Sequence, residues 1–215
     1  APAPTANDLR LAALEARLAR LDLQAEAASG NAARAEGLLM AFAARRMIAR
    51  GAPLGYLEDQ IKLRFSDAQP NAVQTVIEAA RQPVTLDQLS GQLEALAPKL
   101  ANTPTQESGW TQVKRELSSL FVIRHDSTPS TTPANRIDRA RMLLASGKID
   151  EAVAEVERLP GAPGAADWIG AARRYSTTQR ALDLIEQTAM LEPNRLKDGN
   201  GVKVEQVSPL ATPAA

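Results

Sequence analysis

His125, Asp126 and Ser127 place a base, a carboxylate and a hydroxyl in three consecutive positions, the side-chain types that activate a nucleophile for acyl transfer. A catalytic triad depends on spatial geometry and not on adjacency. These three fall in a stretch rich in Ser, Thr and Pro, where polar side chains are ordinary loop chemistry. His125 is the only histidine, which excludes a multi-histidine metal site, and the chain has no cysteine for thiolate ligands, nucleophiles or disulfides. Asp198-Gly-Asn-Gly201 has the glycines of a phosphate loop but neither its strand-to-helix setting nor its lysine. The many carboxylates sit beside Arg and Lys, as on solvated helix faces. The residues specify no catalytic, cofactor-binding or metal-binding site, and the expectation is a protein that is not an enzyme.

The most chemically pointed stretch is 109–125. Drawn as a helix, it sets Trp110, Val113, Leu117, Leu120 and Phe121 on one side and Lys114, Arg115, Ser118 and Ser119 mostly on the other. Arg124 and His125 follow at its end. An indole is favourable at a lipid headgroup boundary because its ring is apolar while its N–H stays hydrated. Lys114, Arg115 and Arg124 add attraction for anionic lipid, roughly 1 kcal/mol each near the surface, against which Glu116 works. Trp110, Val113, Lys114, Arg115, Leu117, Leu120, Phe121 and Arg124 are therefore the candidate lipid-binding set. A helix facing a bundle or a dimer satisfies the same stripe, and the two uses are compatible if the helix moves.

Something must hold such a segment in place and multiply it. Leu11, Leu14, Leu18, Leu21, Ala25, Ala28, Ala32, Ala35, Leu39 and Phe42 follow an unbroken 3-4-3-4 spacing, the a and d positions of a coiled coil over 9–50. So narrow a stripe needs a partner helix, and these ten residues are the expected oligomerisation seam. The alanines allow close approach but bury little area, and Gly30 lowers local helix stability by roughly 1 kcal/mol relative to Ala. A long arm folded back on its own domain is the alternative; self-association is the expectation.

Composition agrees with helices throughout. The 215 residues suit one domain plus an extended arm; aromatics are 3%, and no period-2 strand run is found. Lys and Arg number 25 and Asp and Glu 25, so bulk charge gives no case for nucleic acid. No run of about 18 apolar residues occurs to span a membrane. The start at Ala-Pro-Ala-Pro, without Met, suggests a processed or excised fragment whose natural N-terminus lies upstream, where an export signal or anchor would sit. The expected fold is all-α: a coiled-coil helix, then a helical bundle with one tetratricopeptide-like helix hairpin around Ala140–Ala152.

Its expected parts are a disordered start over 1–8, the coil over 9–50 and a short helical segment over 51–97. A linker over 98–108, the amphipathic helix over 109–125 and a second linker over 126–134 follow. A C-terminal helical domain over 135–191 and a disordered tail over 192–215 complete the chain. Within the segments, Leu54, Leu57, Ile61 and Phe65 share one helix face and Val73, Val76, Ile77 and Ala80 another. Thr85 and Gln88 have capping-box spacing.

Three pieces of the chain resemble the mitofilin-like proteins of α-proteobacteria and, more loosely, related inner-membrane proteins encoded beside haem-biosynthesis genes. Leu38-Leu-Met-Ala-Phe-Ala-Ala-Arg-Arg46 leads to Gly51-Ala-Pro-Leu-Gly-Tyr-Leu-Glu58, a helix-end element similar to the family's. Gly109-Trp110 through Leu117-Ser-Ser-Leu-Phe-Val-Ile-Arg124 resembles its amphipathic segment. Ala140-Arg-Met-Leu-Leu-Ala-Ser-Gly147, Leu159-Pro-Gly161, Trp168 and Ala171-Ala-Arg-Arg-Tyr175 resemble its terminal helical domain. The resemblance implies a membrane-shaping scaffold on the periplasmic side of the bacterial inner membrane, with an anchor upstream of this chain. It also implies homo-oligomers through the coil and the C-terminal domain, lipid contact by 110–124, and a protein partner at the C-terminal domain. The alternative is a soluble adaptor that grips a partner helix between the 137–159 hairpin and the Trp168–Tyr175 helix.

Overall fold

A computed structural model describes residues 6–101 and 132–205. Among them are seven α-helices and no β-strand, so the all-α expectation holds. They are α1 (Ala6–Ala49), α2 (Leu57–Phe65), α3 (Pro70–Arg81), α4 (Leu86–Ala101), α5 (Pro133–Ala145), α6 (Ile149–Glu157) and α7 (Ala166–Leu191). The chain divides into two compact units, one of Ala1–Pro83 with Thr177–Ala215 and the other of Val84–Ser176.

The first unit is built on α1, which stops where glycine can take a left-handed conformation. Gly51 has φ 66°. Its N–H donates to Ile48 O at 2.9 Å and that of Ala52 to Met47 O at 2.9 Å, which satisfies two of the last helical carbonyls. Pro53 and Gly55 carry the chain into α2, whose spacing of four puts Leu57, Ile61 and Phe65 on one buried face. Pro70 opens α3 at a position where the missing N–H has no helical partner to lose, and Val73, Val76, Ile77 and Ala80 are buried behind it. Leu182, Ile185 and Ala189 from the C-terminal part of α7 enter the same core.

Residues 192–205 depart from the expected disordered tail. Pro193 is buried in a single 3-10 turn, and Leu196 and Val204 are buried in the core. Val204 N–H donates to Leu196 O at 3.0 Å, and an isolated bridge joins Lys197 to Lys203. Two apolar residues eight apart carry no periodic signal, yet a turn at Asp198–Gly201 brings them together. Residues 206–215 lie outside the described residues.

The second unit centres on Trp168, which is buried and donates from Nε1 to Leu89 O at 2.9 Å. The capping box at α4 is reciprocal: Thr85 N–H donates to Gln88 Oε1 at 3.1 Å, and Gln88 N–H to Thr85 Oγ1 at 3.2 Å. Thr132 Oγ1 accepts from Asn135 N–H at the start of α5, with Pro133 in the first turn. Helices α5 and α6 are joined through Gly147 and pack against each other. That glycine has φ 75°, and its neighbour Lys148 donates to Leu143 O at 2.8 Å. A second departure is that α4 continues through Pro98 to Ala101, where a linker was expected to begin. Leu100 is buried and its carbonyl accepts from Gly161 N–H at 3.2 Å, so tertiary packing outweighs the proline's local preference.

Candidate functional site

The long helix α1 has two faces with different employment. Gly30, Ala33, Gly37, Ala41, Ala44 and Ile48 are buried at spacings of three and four, and from Ala33 onward this row packs α1 against α2, α3 and the C-terminal part of α7. In heptad terms they occupy b, c and f, on the side of the helix away from a and d. Small residues let the backbones approach. A Cβ on Gly37 would stand 3.4 Å from Leu196 Cδ1 and 3.8 Å from Phe65 Cζ. Three ion pairs flank this contact. Arg45 donates to Glu186 at 2.5 Å, Asp183 at 2.6 Å and Gln179 at 2.9 Å, and Arg64 donates to Glu36 at 2.8 Å. Burial and these carboxylates act on Arg45 in opposite senses, and the carboxylates prevail, raising its pKa.

The a and d seam is left outward. Leu11, Leu14, Leu18, Leu21, Leu39 and Phe42 are each 51–64% exposed, and Ala25, Ala28, Ala32 and Ala35 are exposed between them. All ten predicted oligomerisation residues thus lie on one open face. The alternative in which the arm folds its seam onto its own domain is not what the described residues show; the domain uses the other face. Sequence reading missed that other face because Gly and Ala have little hydrophobic signal, although their 3-4 recurrence from Gly30 was visible. Gly30, a weak point for the coil, is itself buried on this side of the helix.

The candidate lipid-binding set (Trp110, Val113, Lys114, Arg115, Leu117, Leu120, Phe121 and Arg124) lies outside the described residues, as do His125, Asp126 and Ser127. Among the described residues there is no group of His, Asp and Glu placed to hold a metal ion, and no helix is long and apolar enough to cross a membrane. The Asp198–Gly201 turn has its own occupant for its N–H groups. Asn200 N–H and Val202 N–H both donate to Asp198 Oδ1 at 2.8 Å, which holds that carboxyl below its usual range. The groove proposed for an adaptor also loses its anchor, since Trp168 is a core residue whose ring and N–H are both engaged.

The part of the chain holding the α5–α6 hairpin and most of α7 is also the part with a known likeness. Residues 116–190 match the mitofilin family. The family is described as a mitochondrial inner membrane protein, and the match begins before α5 and ends one residue short of the end of α7. It supports a mitofilin-like, inner-membrane-associated family for this region. No curated protein and no solved structure matches the chain. The exposed seam of α1 lies wholly N-terminal to the mitofilin-matched segment.

Proposed function

We propose that the chain is a non-enzymatic, membrane-associated scaffold that binds and shapes the inner membrane from its periplasmic side. Copies associate through the coiled-coil seam of α1, with an anchor supplied upstream. The segment 110–124 contacts anionic lipid, and the helical domain over 135–191 pairs with itself or with a protein partner. The observation that carries this reading is the division of labour on α1: one face builds the domain, while ten a and d residues face outward along the same helix. The mitofilin match over 116–190 supports the membrane setting.

The parts fit together energetically. A short amphipathic segment with five apolar side chains and three cations binds a bilayer weakly, but several copies on one oligomer reach useful avidity. A helix lying at headgroup depth occupies area in one leaflet, which is a physical route to curvature. Cosedimentation of the purified chain with liposomes of increasing anionic-lipid fraction, at low and high salt, tests this. Binding is expected to rise with anionic lipid and fall with salt, and Trp110→Ser or Phe121→Asp is expected to weaken it. A folded oligomer that binds no vesicle at any composition refutes membrane attachment and favours a soluble adaptor.

A further inference from the structure

The charges beside the exposed seam are spaced for a partner and not for their own helix. Arg10 and Arg17 occupy successive g positions, and Glu15 and Asp22 successive e positions. Each acid follows its arginine by five residues, a separation that turns the two side chains well apart on one helix. Intrahelical pairs form three or four residues apart, and none of these four residues has an opposite charge at that distance. All four are exposed, and none makes an ion pair among the described residues. By contrast, the flanking charges nearer the domain, Glu36 at e and Arg45 at g, are engaged with Arg64, Glu186 and Asp183.

In a parallel, in-register pair of helices, the g side chain of one heptad lies beside the e side chain of the next heptad on the partner helix. Arg10 then meets Glu15 of a second copy, and Arg17 meets Asp22, twice each by symmetry. In an antiparallel pair, g faces g and e faces e, so arginine meets arginine and carboxylate meets carboxylate. Resting on the self-association proposed above, we infer that the seam is filled by a second copy of this chain in parallel and in register. The residues Arg10, Glu15, Arg17 and Asp22 set that orientation. The contact runs over Leu11–Ala28, where α1 is exposed on all sides, the four charges included. A parallel coil directs both N-termini to one end and both helical domains to the other, the arrangement that lets two copies be held at a single membrane.

The absence of native cysteine makes the test direct. Leu14→Cys and Ala28→Cys, introduced singly into the full chain, occupy d positions at the two ends of this contact. Under mild oxidation each variant is expected to link to itself as a covalent dimer in high yield. If neither links to itself while the chain still sediments as a dimer, the orientation is wrong and self-association stands. If the chain sediments as a monomer at every concentration, the self-association reading falls with it. The charge argument has its own arms: Arg10→Glu with Arg17→Glu in one chain, and Glu15→Arg with Asp22→Arg in another. Each alone is expected to dimerise at least about tenfold more weakly than the native chain at low salt. A mixture of the two is expected to recover native affinity as a heterodimer. Variants that self-associate as tightly as the native chain overturn the role of these four residues.

Discussion

Replacing Leu14 and Leu21 together by Asp separates association from folding, because the structure gives these side chains no work in the domain. They are 58% and 52% exposed, so roughly half of each side chain remains to be covered by a partner. Burying a leucine completely contributes about 1.5–3 kcal/mol, so the uncovered half corresponds to about 1 kcal/mol per residue. Two positions on each of two copies give about 4 kcal/mol, near a thousandfold in dissociation constant. Facing carboxylates at d add to that loss. Sedimentation velocity across a concentration series is expected to show the variant as a monomer where the native chain is a dimer. Its urea melt, taken where the native chain is also monomeric, is expected to move by less than about 0.5 kcal/mol, as for surface substitutions. The reciprocal variant is Ile61→Ala, a side chain with no exposure in the core of the same unit. It is expected to lower stability by about 2–5 kcal/mol while leaving the association of the folded protein unchanged. Unaltered association of the Leu14/Leu21 variant refutes the seam, and a melt lowered as far as that of Ile61→Ala refutes the assignment of its two faces.

Three further outcomes follow from contacts inside the units. A Cβ at Gly161 would lie 2.2 Å from Lys99 O and 2.7 Å from Leu100 Cα, both backbone atoms that cannot swing aside. Gly161→Ala is therefore expected to lower the stability of the second unit by about 1–3 kcal/mol in a chemical melt, and a neutral result refutes the close approach. Arg45→Lys is expected to lower the stability of the first unit by about 1–2 kcal/mol. One ammonium cannot reproduce a guanidinium shared among Gln179, Asp183 and Glu186, and a melt equal to the native one shows that the three contacts are not coupled. The hydrogen bond from Arg141 holds the Glu94 carboxyl below its ordinary 4.5, so its stabilisation is present above that value and is lost as pH falls through the folded pKa. Glu94→Gln is expected to flatten slightly the acid limb of a stability profile between about pH 3 and 7, and an unchanged slope refutes that tie's contribution.

Much of the fold was legible because its signals were large and periodic. Ile61, Phe65, Val76, Ile77, Val153 and Val156 recur at helical spacing, and all are buried as that spacing requires. Gly51 and Gly147 stop helices at the residues expected, and Thr85 with Gln88 caps one. The departures share a cause in long-range packing, which a local pattern does not carry. Pro98 reads as a helix end until Leu100 finds a core, and Leu196 and Val204 read as tail until a turn pairs them. The row from Gly30 to Ile48 went unread for another reason. Glycine and alanine add little apolar area, so their value lies in how near another helix comes, and that distance is a property of the folded unit. Of the candidate site, the 3-4 apolar spacing from Leu11 to Phe42 was legible in the sequence. The open environment of that seam was not, because sequence alone does not reveal which of two apolar rows the domain will take.

That choice between rows has a physical logic. Gly30, Ala33, Gly37, Ala41 and Ala44 make a shallow surface that suits a fixed, closely packed neighbour, where every contact forms when the chain folds. Leu11, Leu14, Leu18 and Leu21 have long side chains on a stretch of helix with no neighbour among the described residues, and on the proposed reading a second copy covers them. Had the leucines fallen on the packing row, folding would have consumed them and left the seam with alanine alone. The order along the helix matters as well. Exposed leucines come first and buried small residues later, so the part proposed to associate precedes the part that packs into the first unit. Arg10, Glu15, Arg17 and Asp22 then flank only that exposed part, where none of them makes an ion pair among the described residues. On the proposed reading, substitutions over 10–28 change affinity for a second copy without disturbing the core that begins at Ala33. Association strength and domain stability are, on that proposed reading, set by different residues of one continuous helix.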